Sequence, residues 1–171
     1  MKTKSGRASR ESLGTNGQAF KLEDFLPYRL SVAANRVSRM FARRYSEAYG
    51  LSIPEWRVLA IVGRFGTVSP SLVGEWTAMD KVKVSRAAAS LVGRGLLRQT
   101  HDPEDGRGRL LRLTRRGASV YEGMVPLAYQ LEGQLAEGMS RSEWSALLKA
   151  LDKLDAHAKG FAGSDQGPSP D

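Results

Sequence analysis

The side chains best placed to do chemistry in this chain are cations, and they are concentrated in one stretch. Between Lys81 and Arg116 stand ten Lys or Arg, at positions 81, 83, 86, 94, 98, 107, 109, 112, 115 and 116, against three acids at 102, 104 and 105. That segment's net +7 is nearly the whole +8 of the protein. Positive charge confined to one short unit is the footprint of a polyanion site. Lys and Arg neutralise phosphates, and an Arg in the plane of a guanine edge reads sequence as well. Double-stranded DNA is the partner this pattern fits. A pI near 10 agrees, an anionic membrane surface being the weaker alternative.

The local pattern explains how such cations would be held. Asp80 caps a short helix carrying Lys81, Lys83 and Arg86, with Val84, Ala87, Ala88 and Leu91 facing inward. Val82, Lys83, Ser85, Arg86 and Ala89 are left on the outer or flanking faces. Lys83 and Arg86 reach bases or phosphates, and Val82 offers an apolar contact to a thymine methyl. Gly95 stops the helix, and two strand-like runs follow, Leu96 to Thr100 and Leu110 to Leu113. Between them lies a polar loop from Asp102 to Arg109 that carries Asp105, Arg107 and Arg109. Helix, strand, basic hairpin, strand is the outline of a winged helix-turn-helix.

Other chemistries find no support in the residues. The chain has no cysteine, which excludes thiol redox sensing and thiolate metal ligation. His101 and His157 are the only histidines and stand far apart, without carboxylates at ligand spacing. Gly-x-Gly occurs at Gly93 and Gly95, where a helix ends, and at Gly106 and Gly108, between strands; neither stands before a helix. No nucleophile has a neighbouring histidine, so an enzyme is not expected, and neither a metal nor a cofactor is expected.

The elements that must position the cations read as six helices. Leu26, Leu30, Ala33, Val37, Met40, Phe41, Tyr45 and Ala48 stripe a long first helix from Phe25 to Tyr49, ended by Gly50. Pro54 opens the second, with Ile53, Trp56, Leu59 and Ala60 expected inward. Ser69-Pro70 opens a short third, with Leu72, Val73 and Trp76 expected inward. After the hairpin, Thr114 leads into a fifth helix striped by Val120, Met124, Leu127, Leu131 and Leu135. Pro126 is expected to bend that helix. Ser140 and Glu143 form a capping box for the sixth, striped by Trp144, Leu147, Leu148, Leu151 and Leu154.

The fold class is therefore mainly α with a small β-wing. Residues 51–117 form the winged DNA-binding unit, and 21–50 with 118–159 a helical dimerisation region. Residues 1–20 read as a disordered basic arm and 160–171 as a disordered tail. The long helices carry apolar stripes that the small winged unit cannot cover. An intertwined homodimer covers them and matches the two-fold symmetry of paired DNA half-sites. No apolar run approaches the length of a membrane span. The basic N-terminus lacks the apolar stretch of a signal peptide, so the expected compartment is the cytoplasm.

Five pieces in this order resemble the MarR family of bacterial regulators: Ile53-Pro-Glu-Trp-Arg-Val-Leu59, Asp80-Lys-Val-Lys-Val-Ser-Arg86, Arg94-Gly-Leu-Leu97, Asp102-Pro-Glu-Asp-Gly-Arg107 and Leu113-Thr-Arg-Arg-Gly117. The resemblance covers roughly residues 25–158. It implies a homodimer that represses nearby genes and leaves DNA on binding a small phenolic or anionic effector. It also assigns Arg107 to the minor groove and Asp105 to orienting it. Two positions depart from the family pattern. Gly106 precedes Arg107 where an Arg-Arg pair is usual, and Val82 and Lys83 replace small polar residues on the recognition helix.

The same resemblance places an effector among the first, second and fifth helices. Arg29, Arg36 and Arg43 recur every seven residues on the first helix and suit a carboxylate, or the phosphates of a coenzyme A thioester. A solvated face or ion pairs between subunits are the commoner uses of such a stripe. Met40 and Trp56 suit an aromatic pocket, although both stand where core residues belong. A DNA-binding regulator without any ligand is the alternative.

Overall fold

In the computed structural model, which describes residues 20–103 and 108–164, six helices and a hairpin follow in the expected order. After a 3-10 turn at Leu22–Asp24, α1 runs over Leu26–Tyr49, α2 over Ile53–Phe65, α3 over Pro70–Thr77 and α4 over Lys81–Gly93. The wing is β1, Leu97–His101, against β2, Arg109–Leu113, and α5 (Arg115–Ala136) and α6 (Arg141–Ser164) follow. The chain divides into two compact units, one ending at Tyr121 and one beginning at Glu122.

Short polar signals set the helix limits. Gly50 takes the left-handed conformation, φ 63°, and donates its amide to the Ser46 carbonyl at 2.8 Å, closing α1. Ser52 donates its amide to Glu55 Oε2 at 2.7 Å, the capping box that starts α2. Ser69 Oγ accepts the Leu72 amide at 3.2 Å and Asp80 Oδ1 the Lys83 amide at 2.8 Å, so α3 and α4 begin where the sequence predicts. Between them Ala78 adopts φ 51°, a left-handed turn that costs a residue with a Cβ about 1–2 kcal/mol. The expected box at Ser140 is also present, its amide donating to Glu143 at 2.8 Å.

The core of the first unit joins α2, α3, α4 and the wing. Val58, Leu59 and Val62 of α2, Val73 of α3, and Val84, Ala87, Ala88 and Leu91 of α4 are buried, with Leu96, Leu97 and Leu111 beneath the hairpin. Tyr45 and Leu51 seal it from the side of α1. Val68 adds an isolated bridge to β2: its amide and carbonyl exchange bonds of 3.1 and 2.8 Å with Leu111. Gly117 passes so close to the Leu96 carbonyl that a side chain there would collide with backbone.

Three expectations need correction. The inner face of α2 is Glu55, Val58, Leu59 and Val62, one step round from the predicted Ile53, Trp56 and Ala60, which are half-buried. The capping box fixes that phase by turning Glu55 inward. Trp76 is 52% exposed rather than buried. It packs on Phe65 with the rings tilted by 44° and their centroids 5.1 Å apart, and the Arg64 guanidinium lies over both rings. Finally, α6 runs to Ser164, into the stretch whose composition suggests a loose tail. Ala156, Ala158 and Ala162 favour helix, and Pro168 comes only later. Residues 1–19 and 165–171 lie outside the described residues.

In the second unit Leu147, Leu148, Leu151 and Leu154 form one stripe of α6 and remain 39–43% exposed. The helix α5 continues through Pro126, and Met124 and Leu131 on it are buried. In the first unit, Leu22, Phe25, Leu26, Tyr28 and Leu30 are likewise exposed around the start of α1. No described helix is long and apolar enough to cross a membrane.

Candidate nucleic-acid interface

The buried stripe of α4 decides which of its side chains are left for a ligand. Lys81, Val82, Lys83, Ser85, Arg86 and Ala89 are all exposed. Val82, at 57%, is the most exposed large aliphatic side chain among the described residues. An isolated valine held out on a cationic helix gains nothing from the protein, but it suits a thymine methyl.

The helix presents two flanks. Lys81, Ser85 and Ala89, one turn apart, line a groove of about 810 Å³ with Ser69, Pro70 and Ser71 at the start of α3 and Gln99 and Arg109 on the wing. Lys83 and Arg86 line a smaller recess of about 270 Å³ on the other side, with Ser52, Pro54, Glu55 and Ser90. The structure thus brings Lys81, Ser85 and Arg109 together and sets Lys83 and Arg86 on the opposite flank, with Val82 separate from both linings. Ser69, Ser71 and Gln99 were not expected at the groove. The start signal of α3 could have suggested the serines, since a helix N-terminus and serine hydroxyls suit a phosphate.

Asp80 organises the start of α4. Besides capping Lys83's amide, it pairs with the Lys83 ammonium at 3.0 Å. The Lys83 amide, helped by that ammonium, holds the Asp80 carboxyl below the usual carboxylate range. The wing pairs Arg98 with Arg112 and His101 with Arg109 across its two strands. Two arginines directly opposite each other disfavour a sheet, so an anion beside Arg98 and Arg112 would relieve a repulsion built into the hairpin. The Asp102 amide donates to the Gly108 carbonyl at 3.0 Å and closes the loop. Asp105 and Arg107 lie outside the described residues.

Sequence reasoning missed Glu55, the one buried charged side chain among the described residues, at 8% exposure. Its Oε2 accepts the amide and hydroxyl of Ser52, and its Oε1 accepts the Ser90 hydroxyl of α4 at 2.6 Å. Burial raises its pKa. The bonds from Ser90 and Ser52 and the Arg94 charge outweigh that, leaving the carboxyl below its ordinary range.

The five effector candidates are not gathered in one place. A recess of about 780 Å³ is lined by Arg39, Met40, Ala42, Arg43, Arg44 and Glu47 of α1, which includes Met40 and Arg43 but not Arg29, Arg36 or Trp56. Arg29 and Arg36 are exposed. Trp56 packs on the buried ring of Tyr45 with centroids 5.1 Å apart. Its indole Nε1 is buried, and no acceptor among the described residues reaches it.

Comparison with known proteins points to one family of regulators. A sequence profile described as the MarR family matches residues 49–108, the end of α1 through the wing loop. A structure of a probable transcriptional regulator from Pseudomonas aeruginosa aligns with TM-score 0.70 and 29% identity, over 78% of this chain and 99% of that one. Over residues 49–108 the chain is similar to the MarR family. The chain is also similar to the HTH-type transcriptional repressor IacR of Pseudomonas putida, 26% identical over 78% of this chain and 79% of IacR. It resembles Bordetella bronchiseptica BpsR, whose structure concerns regulation of DNA binding by 6-hydroxynicotinic acid, with TM-score 0.74 and 28% identity over 81% of this chain and 98% of BpsR. The fold is thus a winged helix like that of these proteins, and the relatives it matches are transcriptional regulators rather than enzymes.

Proposed function

We propose that this regulator is a homodimeric repressor that reads a pseudopalindromic operator and is released by a small anionic aromatic effector. The observation that carries the DNA reading is the arrangement of α4. Its apolar stripe is fully engaged, its two flanks carry Lys81 with Ser85 and Lys83 with Arg86, and the Arg109 end of the wing closes one flank into a groove. In this reading Lys81, Ser85 and Arg109 meet backbone, while Val82, Lys83 and Arg86 meet base edges. Arg107, oriented by Asp105, enters the minor groove. The exposed stripes of α1 and α6 meet those of a second copy, which places two α4 helices on successive turns of one duplex.

For the effector, the arginine-lined recess around Met40 and Arg43 supplies charge for a carboxylate. Arg29, Arg36 and Trp56 enter only as further candidates, Trp56 through its unpartnered indole N–H. Repression is favoured by the likeness to IacR and release by an aromatic acid by the likeness to BpsR.

Selection of duplexes from a random library by the purified protein tests the DNA reading. The expected product is an inverted repeat with half-sites roughly 10 base pairs apart, centre to centre. A pool without symmetry would contradict it. Thermal-shift screening of aromatic acids and their thioesters tests the effector. A hit should both raise Tm and displace the selected duplex, and a protein that responds to none of them is regulated without such a ligand.

A further inference from the structure

The carboxylate of Glu55 ties α2 to α4 and, through Arg94, to the end of α1. It caps its own helix through Ser52, grips α4 through the Ser90 hydroxyl, and pairs with Arg94 Nη1 at 3.6 Å. Arg94 in turn donates to the last carbonyls of α1, to Gly50 at 3.0 Å and to Tyr49 at 2.9 Å. Arg116 of α5 donates to the Arg94 carbonyl at 3.2 Å. The residues of α4 that face the core beside this network are Ala87 and Ala88, with Val84 and Leu91 beyond them.

Alanine methyls bury area without interlocking, so they fix how near α4 lies but only weakly how it is rotated. Directional bonds supply what methyls cannot. Side-chain tips on a helix lie on a radius of roughly 6 Å, so a rotation of about 10° moves them by about 1 Å. A shift of that size takes a base-edge hydrogen bond out of its range of roughly 2.7–3.2 Å, while a mobile cation still finds a phosphate. Ser90 lies one turn beyond Arg86, and both line the same recess as Glu55 and Lys83.

We propose that Glu55, acting through Ser90 and Arg94, is a positioning residue that sets the rotation of α4 and thereby sequence discrimination rather than overall DNA affinity. The inference rests on the operator reading above. Its test compares wild type, Ser90→Ala, Ser90→Thr and Glu55→Gln on two duplexes, one selected by the wild type and one of random sequence, at several salt concentrations. Ser90 is exposed and alanine favours helix, so Ser90→Ala keeps the fold even if Glu55→Gln does not.

The ratio of operator to random affinity should fall about tenfold in Ser90→Ala and at least as far in folded Glu55→Gln. Random-duplex affinity and its salt slope should stay within about twofold of wild type, because phosphate contacts are unchanged. Ser90→Thr keeps the hydroxyl and should restore most of the ratio. An unchanged ratio in Ser90→Ala, or an equal loss on both duplexes, would overturn the proposal and reduce Glu55 to a stabilising cap. A wild-type protein with no preference for any sequence would overturn the operator reading itself, which is a different failure.

Discussion

Replacing Leu147, Leu151 and Leu154 together by serine should dissolve the proposed dimer without unfolding the chain. These three leucines are 39%, 42% and 41% exposed in the single chain, so roughly two-fifths of each side chain is still available for burial. Complete burial of a leucine contributes about 1.5–3 kcal/mol, so the remainder is worth about 0.6–1.2 kcal/mol at each position. Six such side chains meet in a two-fold dimer, which makes the combined loss about 4–7 kcal/mol, or about 10³–10⁵-fold in dimer Kd. The face they leave already meets solvent within the chain, and serine costs a helix only about 0.5 kcal/mol per position. Helical circular dichroism should therefore persist. Sedimentation over a wide concentration range reads the shift. A dimer Kd within tenfold of wild type would refute the stripe as the interface, and a monomeric wild type would refute the dimer.

Other outcomes follow from the same geometry. Six to ten phosphate contacts per dimer should make operator affinity drop about 10³–10⁵-fold between 50 and 200 mM salt, read by fluorescence anisotropy. On the wing, Asp105→Ala should weaken operator binding if the carboxylate orients Arg107; tighter binding, as loss of an acid near phosphate would give, leaves the wing a plain charged loop. Acid should act through Glu55. A carboxyl depressed below its ordinary 4.5 stabilises the fold fully above that value and loses the contribution as pH falls through the lower folded value. The stability gap between wild type and Glu55→Gln in urea melts should thus narrow on going from neutral pH to about pH 3; a gap that does not change with pH would mean that the charge is not what stabilises.

Much of the winged unit was legible because its signals are local. Asp80, Ser69-Pro70, Ser140 with Glu143 and Gly50 each act within one helical turn, and each starts or stops a helix where the sequence predicts. The inward stripe of α4 and the hairpin after it followed from periodicity and from one concentrated run of charge. What escaped depends on distant partners. Trp76 reads as core by its apolarity, yet Arg64 and Phe65 give it a surface stack that no spacing rule reveals. Glu55 went unread, because its partner Ser90 is 35 positions away. Val68 joins the sheet through a single pair of bonds to Leu111, too short a contact to leave a pattern. The effector candidates were chosen for charge and apolarity on one helix, and the recess around Met40 and Arg43 takes in two of the five.

The central claim is that α4 reads bases, and Arg86 is where it is most exposed to test. Arg86→Ala should be titrated against the selected operator and a random duplex of equal length, at one fixed salt concentration. The account predicts a loss of about 1–3 kcal/mol on the operator, roughly 5- to 150-fold, with a clearly smaller loss on the random duplex and relaxed base choice at one position of each half-site. Equal losses on both duplexes would contradict it, since Arg86 would then touch only the backbone.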